Sequence, residues 1–310
     1  MPSRRRRIRR AVQKLRRYIV YICILSFRRI LLWLPFPLTL RLGGFLGGLA
    51  YRFFFGERAK TLANLTLAFG REKSEGELRH IAQGVFRNAG RSLVEVLCWP
   101  KLGLPYLQTH VTIENPEAVL SAYEKGKGII GLTAHFGNWE FMAAALAQRF
   151  KIPFSVIARE YSNPWTNRLL EENRKSMGVD VIYRGQDAIA ILRRLKRGEG
   201  LGILADQKIR GEDIIVDFFG QPAKTLRNLA ELILRTGSPV VPIFIIRNKD
   251  LTTHTVIIEN PMSFIDTGDR ERELKKIAQT YTGIIESYIR RYPDQWMWMH
   301  DRWGRKKRHS

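Results

Sequence analysis

The chain is poor in cysteine, in long apolar runs and, over its first stretch, in acid. Cys23 and Cys98 are the only cysteines, and neither sits in a CxxC or other ligand spacing. A disulfide framework is therefore not expected, and a reducing compartment fits best. No apolar run reaches the ~18 residues of a confident spanning helix. A cleaved signal peptide is not expected either, because the basic leader is long and no A-x-A-like site follows a clean apolar core. There is no GxxxxGK[ST] phosphate loop and no GxSxG nucleophile elbow. Gly126 to Gly131 (GKGIIG) fits GxGxxG, but its glycines precede and occupy the apolar stretch instead of following it, which excludes the dinucleotide fingerprint. His80, His110, His254, His300 and His309 have no metal-ligand spacing, so no metal is expected.

What the chain has in excess is positive charge, a formal +23. Residues 1–17 hold Arg4, Arg5, Arg6, Arg7, Arg9, Arg10, Lys14, Arg16 and Arg17 with no acid, and Arg302, Arg305, Lys306, Lys307 and Arg308 gather at the other end. Such clusters suit a polyanion, either nucleic acid or an anionic membrane surface, or they are solvated tails. The basic arm runs straight into apolar sequence at 18–26, 30–40 and 42–51, interrupted by Arg28, Arg29 and Arg41, which favours the membrane surface. This segment reads as a helical anchor lying in the interface, with Tyr18 and Trp33 near headgroup level; a single arginine-interrupted span is the alternative. The expected organisation is a basic arm at 1–17, an anchor at 18–55, a catalytic body at 56–304 and a basic tail at 305–310.

With 45% hydrophobic residues, the chain can bury a sizeable core. Helical spacing marks 57–69 and 75–88, followed by an apolar stretch at 92–99. From about residue 110 short apolar strands alternate with amphipathic helices. Strands are expected at 128–133, 153–158, 180–183, 201–205, 240–246 and 253–258, and helices at 164–177, 187–197, 224–236 and 270–291. This alternation predicts an α/β fold, a mostly parallel central sheet flanked by helices.

The stretch Thr133 to Glu140 (TAHFGNWE) lies between a strand and the helical pattern FMAAALAQRF. Residues five apart in one helix diverge by about 140°, so His135 and Glu140 would not meet there. If Asn138 caps the helix, His135 falls in the preceding loop and Glu140 in the first turn, from where the carboxylate can reach the imidazole. A hydrogen-bonded structural histidine and a dipole-compensating glutamate are the plainer alternatives. Arg159 and Asp206-Gln207 follow other strands, at the sheet edge where α/β proteins bind ligands. Arg159 could clamp a phosphate or an oxyanion, and Asp206 could equally cap a helix. Phe218 to Thr225 (FFGQPAKT) reads as an apolar turn opening a helix.

HFGNWE, with its His-x4-Glu spacing, resembles the His-x4-acid motif of the lysophospholipid acyltransferase superfamily, and in particular its bacterial lipid A late acyltransferases of the lauroyl/myristoyl type. Ala158-Arg159 with Asn163-Pro164, Ala205-Asp206-Gln207, Phe218-Phe219-Gly220 with Pro222-Ala223 and Thr225, and the ending Pro293 to His300 (PDQWMWMH) also resemble that branch, in order over roughly 40–304. Arg159 is followed by Glu160 where a proline is usual, and His300 by Asp301 where a basic residue is common. The resemblance implies transfer of a fatty acyl chain from acyl carrier protein to a hydroxyl of a lipid A precursor, at the cytoplasmic face of the bacterial inner membrane. His135 would be the general base and Glu140 its orienter. Direct transfer is expected, because no Ser or Cys nucleophile stands beside the histidine. Backbone N–H groups of Gly137 and Asn138 are candidate oxyanion donors, with Arg159 another. Asp206, Gln207, Phe219, Gly220 and Thr225 complete the expected substrate-binding set, and no cofactor is implied. A glycerophospholipid or mannosylated lipid is the alternative acceptor. A membrane-tethered polyanion-binding protein is the reading from another class, disfavoured for nucleic acid because no recognisable binding motif accompanies the cations.

Overall fold

The computed structural model describes residues 4–183, 188–207, 213–265 and 267–304. The expected basic tail at 305–310, and the side chains of Arg4, Arg5, Arg7 and Arg10, lie outside the described residues. Five helices come first: α1 (Arg4–Trp33), α2 (Phe36–Phe53), α3 (Phe55–Phe69), α4 (Glu75–Leu97) and α5 (Trp99–His110). The α/β body follows as β1 (Val111–Glu114), α6 (Glu117–Tyr123), β2 (Ile129–Thr133), α7 (Trp139–Phe150), β3 (Phe154–Ala158), α8 (Pro164–Ser176), β4 (Asp180–Tyr183), α9 (Ala188–Lys196) and β5 (Gly200–Leu204). The hairpin β6 (Asp213–Phe218) and β7 (Gln221–Leu226) leads to α10 (Arg227–Thr236), β8 (Val240–Arg247), β9 (His254–Ile258) and α11 (Arg270–Arg291).

The main sheet has seven strands in the order β1-β9-β8-β2-β5-β3-β4. All neighbours are parallel except β8 and β9. The central strands IIGLT and VVPIFIIR are buried along their whole length, as parallel strands covered on both faces require. Because β2, β3 and β5 run the same way, the loops carrying His135, Arg159 and Asp206 all leave one edge of the sheet.

Expected strands at the sheet's centre match the observed ones within a residue or two. Two features differ. The stretch 218–225 does not open a helix: it forms the turn and second strand of the β6–β7 hairpin, and α10 begins only at Arg227. The apolar run at 92–99 is not separate from the helix before it, because α4 continues to Leu97. The start of α4 is fixed by a capping box, Ser74 with Glu77.

One continuous helix, α1, runs from Arg4 to Trp33 and docks on the body, where Asn163 Nδ2 donates to the Arg17 carbonyl (2.9 Å), Tyr18 meets Trp165 edge to face, and Leu31 is fully buried. Among the described residues no helix is long and apolar enough to cross a membrane, so the single-span alternative has no support. Arg302, counted with the C-terminal basic cluster, is not available at the surface: it is buried, donating to Thr225 Oγ1 (3.0 Å) and stacking over Phe218.

Helices α2 and α4 cross at backbone contact. A methyl group on Gly47 would lie 2.2 Å from the Phe86 carbonyl oxygen, and one on Gly90 2.2 Å from the Gly43 carbonyl oxygen. Both clashes are with backbone, so the helices must separate to admit a side chain. Gly90→Ala should therefore lower stability by about 1–3 kcal/mol, although alanine alone favours a helix by about 1 kcal/mol. Urea unfolding at constant m reads this, and a variant as stable as the parent would show that the crossing is looser than described.

Candidate active site

His135 stands two residues beyond β2, on a loop held at both ends. Asn138 caps α7, its Oδ1 accepting from the Phe141 N–H (3.2 Å). Its Nδ2 donates to Glu95 Oε2 (2.8 Å), which fixes the cap to α4. The backbone around His135 pairs with the C-terminal segment: Gly137 N–H donates to the Gln295 carbonyl (2.8 Å) and Met297 N–H to the His135 carbonyl (3.0 Å). Gly137 adopts φ 54°, and a Cβ there would meet the Ile245 carbonyl oxygen at 2.2 Å, so only glycine fits.

The carboxylate at the imidazole is Asp206. Its Oδ1 lies 2.8 Å from His135 Nδ1, while Oδ2 accepts from the His135 backbone N–H (3.0 Å) and from Trp296 Nε1 (2.8 Å). Burial disfavours the charge on Asp206, but the charge of His135 and these hydrogen bonds outweigh it and hold the carboxyl at about 2. An ionised carboxylate only accepts, so Nδ1 carries the proton and Nε2 keeps the basic lone pair.

Glu140, expected as the orienter, is engaged elsewhere. Arg174 on α8 grips it in a bidentate pair, Nε to Oε2 at 2.9 Å and Nη2 to Oε1 at 2.5 Å. The physical reason is position: Glu140 sits in the first turn of α7 facing α8, whereas Asp206 leaves β5, the strand hydrogen-bonded beside β2.

His135 and Glu140 nonetheless face the same cavity, of about 220 Å³. Val85, Ala89, Leu93 and Val96 of α4 form one wall, with Trp139 and Met297 opposite and Asn88, Ser92 and Asp294 supplying polar atoms. Leu93 is 57% exposed, a large apolar side chain at the rim. His300 lies close, its ring centroid 5.5 Å from that of His135, with burial and then the charge of His135 lowering its pKa.

The remaining expected residues are distributed as follows. Gly137 and Asn138 line the cavity, but the Gly137 N–H is committed to Gln295 and is no oxyanion donor in this state. Arg159 leaves the same sheet edge yet is exposed and absent from the cavity wall. Gln207 is half-buried next to Asp206. Phe219 and Gly220 are the turn of the hairpin, with φ 57° and 69°. Phe219 packs on Phe69 and Trp298, and Thr225 is buried on Arg302, so these residues brace the body and are not part of the cavity wall. The sequence did not single out Arg174 or Trp296 as partners. Arg174 is 34 residues from Glu140 and Trp296 is 90 from Asp206, separations that no local spacing encodes.

Behind the cavity lies a second buried charge. Glu95 receives Arg247 through two contacts (2.6 and 2.5 Å), and His254 Nε2 stands 3.6 Å from Glu95 Oε1. Burial holds His254 at about 4, below its usual 6.5, against the opposing pull of Glu95.

An α/β protein in which an ionised carboxylate holds a histidine at an apolar cavity carries groups suited to acid–base chemistry on a substrate with apolar parts. Comparison with known proteins gives the class its family. The model of the bacterial lipid A biosynthesis acyltransferases matches residues 6–305, and the chain belongs to that family. It is 27% identical to a lipid A biosynthesis acyltransferase of Haemophilus influenzae, over 88% of this chain and 86% of the relative. It is 25% identical to the Escherichia coli lipid A biosynthesis palmitoleoyltransferase, over 87% of each. A phosphatidylinositol mannoside acyltransferase of Mycolicibacterium smegmatis is 24% identical over 59% of each chain. The protein is thus an O-acyltransferase.

Stability should carry the signature of the depressed pKa values of His254 and Asp206. His254 titrates near 4 folded against 6.5 in a free chain, and Asp206 near 2 against 3.8, so in both windows the unfolded chain takes up protons first. Stability is complete above about pH 6.5, falls toward pH 4 through His254, and falls again toward pH 2 through Asp206. Urea midpoints measured between about pH 7 and pH 4 should decline in the parent and flatten in His254→Asn. A midpoint independent of pH in the parent would remove the buried neutral His254.

Proposed function

We propose that this O-acyltransferase moves a fatty acyl chain from an acyl carrier protein thioester to a hydroxyl of a lipid A precursor, with His135 as general base. The observation that carries the proposal is the Asp206–His135 pair opening onto an apolar cavity. A hydroxyl is a poor nucleophile at neutral pH, and an imidazole near neutrality suits its deprotonation. His135 Nε2 takes the hydroxyl proton as the oxygen attacks the thioester carbonyl. The tetrahedral adduct then collapses, the C–S bond breaks, and the departing sulfur receives the proton back from the imidazolium. Ester and thiol are the products, and His135 ends neutral. Asp206 stays ionised throughout, setting the tautomer and stabilising the imidazolium.

Direct transfer is supported by the engagement of the Ser92 hydroxyl on the cavity wall, whose Oγ accepts from Arg247 Nη2 (3.3 Å) and donates to the Gly137 carbonyl (3.5 Å). In this reading the oxyanion faces the Asn138 backbone N–H at the start of α7. Glu140, neutralised by Arg174, fixes the cavity wall.

The catalytic body works at the cytoplasmic face of the inner membrane, held by an interfacial α1. Val12, Leu15, Ile19, Ile22 and Trp33 are exposed along this helix beside its arginines, and Phe53, Phe54 and Phe55 are exposed at the α2–α3 corner. An anionic leaflet attracts the cations and an acidic carrier protein approaches the same basic molecule favourably. A mannosylated lipid acceptor is the second reading, motivated by the mycobacterial relative; lipid A lacking one secondary acyl chain in a deletion strain excludes it.

Three variants test the site in membranes supplied with acyl carrier protein thioester and lipid A precursor. His135→Ala should abolish turnover. Asp206→Asn should lower kcat by about 10²–10⁴-fold and move the acidic limb of the kcat/KM profile to lower pH, because the imidazolium loses its counter-charge. Glu140→Gln should leave that limb in place. A limb that shifts with Glu140→Gln and not with Asp206→Asn would return the orienting role to Glu140.

A further inference from the structure

On the flank of α4 that meets α2, Arg87 and Arg91 sit one turn apart over two glycines that are also one turn apart. A Cβ on Gly44 would lie 2.9 Å from Arg91 Nη2, and one on Gly48 3.8 Å from Arg87 Nε, so the missing side chains leave the guanidinium groups their room. Arg91 Nη1 donates to Asn88 Oδ1 (3.1 Å), and Asn88 lines the cavity that holds His135. Arg91 therefore stands one hydrogen bond behind the cavity wall, with the exposed Arg87 one turn away.

Neither guanidinium has a carboxylate within 4.0 Å among the described residues. The two acids nearest Arg91 are already engaged, Glu95 by Arg247 and Asp294 by Asn88 Nδ2 (3.0 Å). Arg91 is half-buried and faces the like charges of Arg247 and Arg87; burial first, then those two cations, lower its pKa. A partly desolvated cation without a counter-ion is costly, and such arrangements persist where a ligand completes them.

We propose that Arg87 and Arg91 form a phosphate-binding site that seats a phosphate group of the acceptor lipid beside the cavity, leaving its hydroxyl within reach of His135. Two planar guanidinium forks a helical turn apart match the several oxygens of one phosphate, in a way that a single carboxylate ligand would not use fully. The site takes the place expected of Arg159, which is exposed and away from the cavity wall. The inference rests on a phosphorylated lipid acceptor for this O-acyltransferase.

The test compares the parent with Arg87→Gln/Arg91→Gln, using lipid A precursor with and without its phosphates. The parent should favour the phosphorylated acceptor in KM by about tenfold to a hundredfold, and the double variant should lose that preference. Gly44→Ala is the companion variant, since its methyl displaces only the flexible end of Arg91 and alanine favours the helix; it should weaken the same preference while melting no lower than the parent. A preference unchanged in the double variant overturns the site. So does a KM rise equal for both acceptors, which would point to phosphates of the surrounding bilayer. A second arm does not depend on acyl transfer: inorganic phosphate at constant ionic strength should raise the parent's melting temperature more than the double variant's. Equal shifts overturn the site. If the parent acylates neither acceptor, the proposed reaction falls and the phosphate arm alone decides.

Discussion

A buried carboxylate must be surrounded by donors, and Asp206 makes the rest of the molecule supply them. At 3% exposure it is denied water, so its two oxygens are met by a backbone N–H, an imidazole and an indole. Those donors come from the end of β2 and from a segment 90 residues downstream of Asp206. Their convergence explains several otherwise unrelated features. The Ala205 N–H reaches the Thr133 carbonyl (2.9 Å), keeping β5 in register with β2 to the last residue. The segment after α11 returns across the sheet edge, bridging Trp296 to Phe136, so that the indole can arrive. The C-terminal segment is therefore part of the site, although the residue that reaches Asp206, Trp296, is not itself a catalytic type.

The second buried charge does for the helices what the first does for the strands. Glu95 on α4 binds Arg247 at the end of β8 and the amide of Asn138 at the cap of α7. Removing one partner of such a group leaves an uncompensated charge inside, typically at a cost of about 3–5 kcal/mol. The loop bearing His135 is thus tied to α4 from within, while the glycine crossing ties α4 to α2 from outside. One wall of the cavity and the loop bearing His135 thus share a support in α4, so a shift of α4 would be felt at the imidazole.

The fold was legible where burial imposes a pattern. Apolar runs of five to eight residues mark β2, β3, β5 and β8, because a parallel strand covered on both faces needs them. In the stretch 218–225 the turn was legible but the strand after it was not: Phe219 at positive φ is held by packing on Phe69 and Trp298, and Gln221–Leu226 pairs with β6 instead of opening a helix. At the site, the spacing of Asn138 before Phe141 correctly placed His135 in a loop and Glu140 in a first turn. Which carboxylate would hold the imidazole was not legible, because it depends on β5 lying beside β2. Charge at the chain ends was equally ambiguous; Arg302 counts with the C-terminal basic cluster and is buried, because Thr225 and the ring of Phe218 are folded against it.

The division of labour between the two carboxylates has an electrostatic logic. In the proposed reaction Asp206 would stabilise positive charge on His135, and because Asp206 is not in the cavity wall the imidazole stands between it and the space where a negative oxygen would develop. Glu140 does line the cavity, where a free carboxylate would repel that oxygen and strand a charge beside apolar walls. Its bidentate pairing with Arg174 removes both objections. In the proposed reaction the cavity would thus offer an incoming hydroxyl the open nitrogen of His135, with its glutamate already paired. That combination needs three elements, β5, α7 and α8, to present their charges at fixed distances from one edge of the sheet. A parallel α/β layer provides this directly, since each of its strands delivers its following loop to the same side.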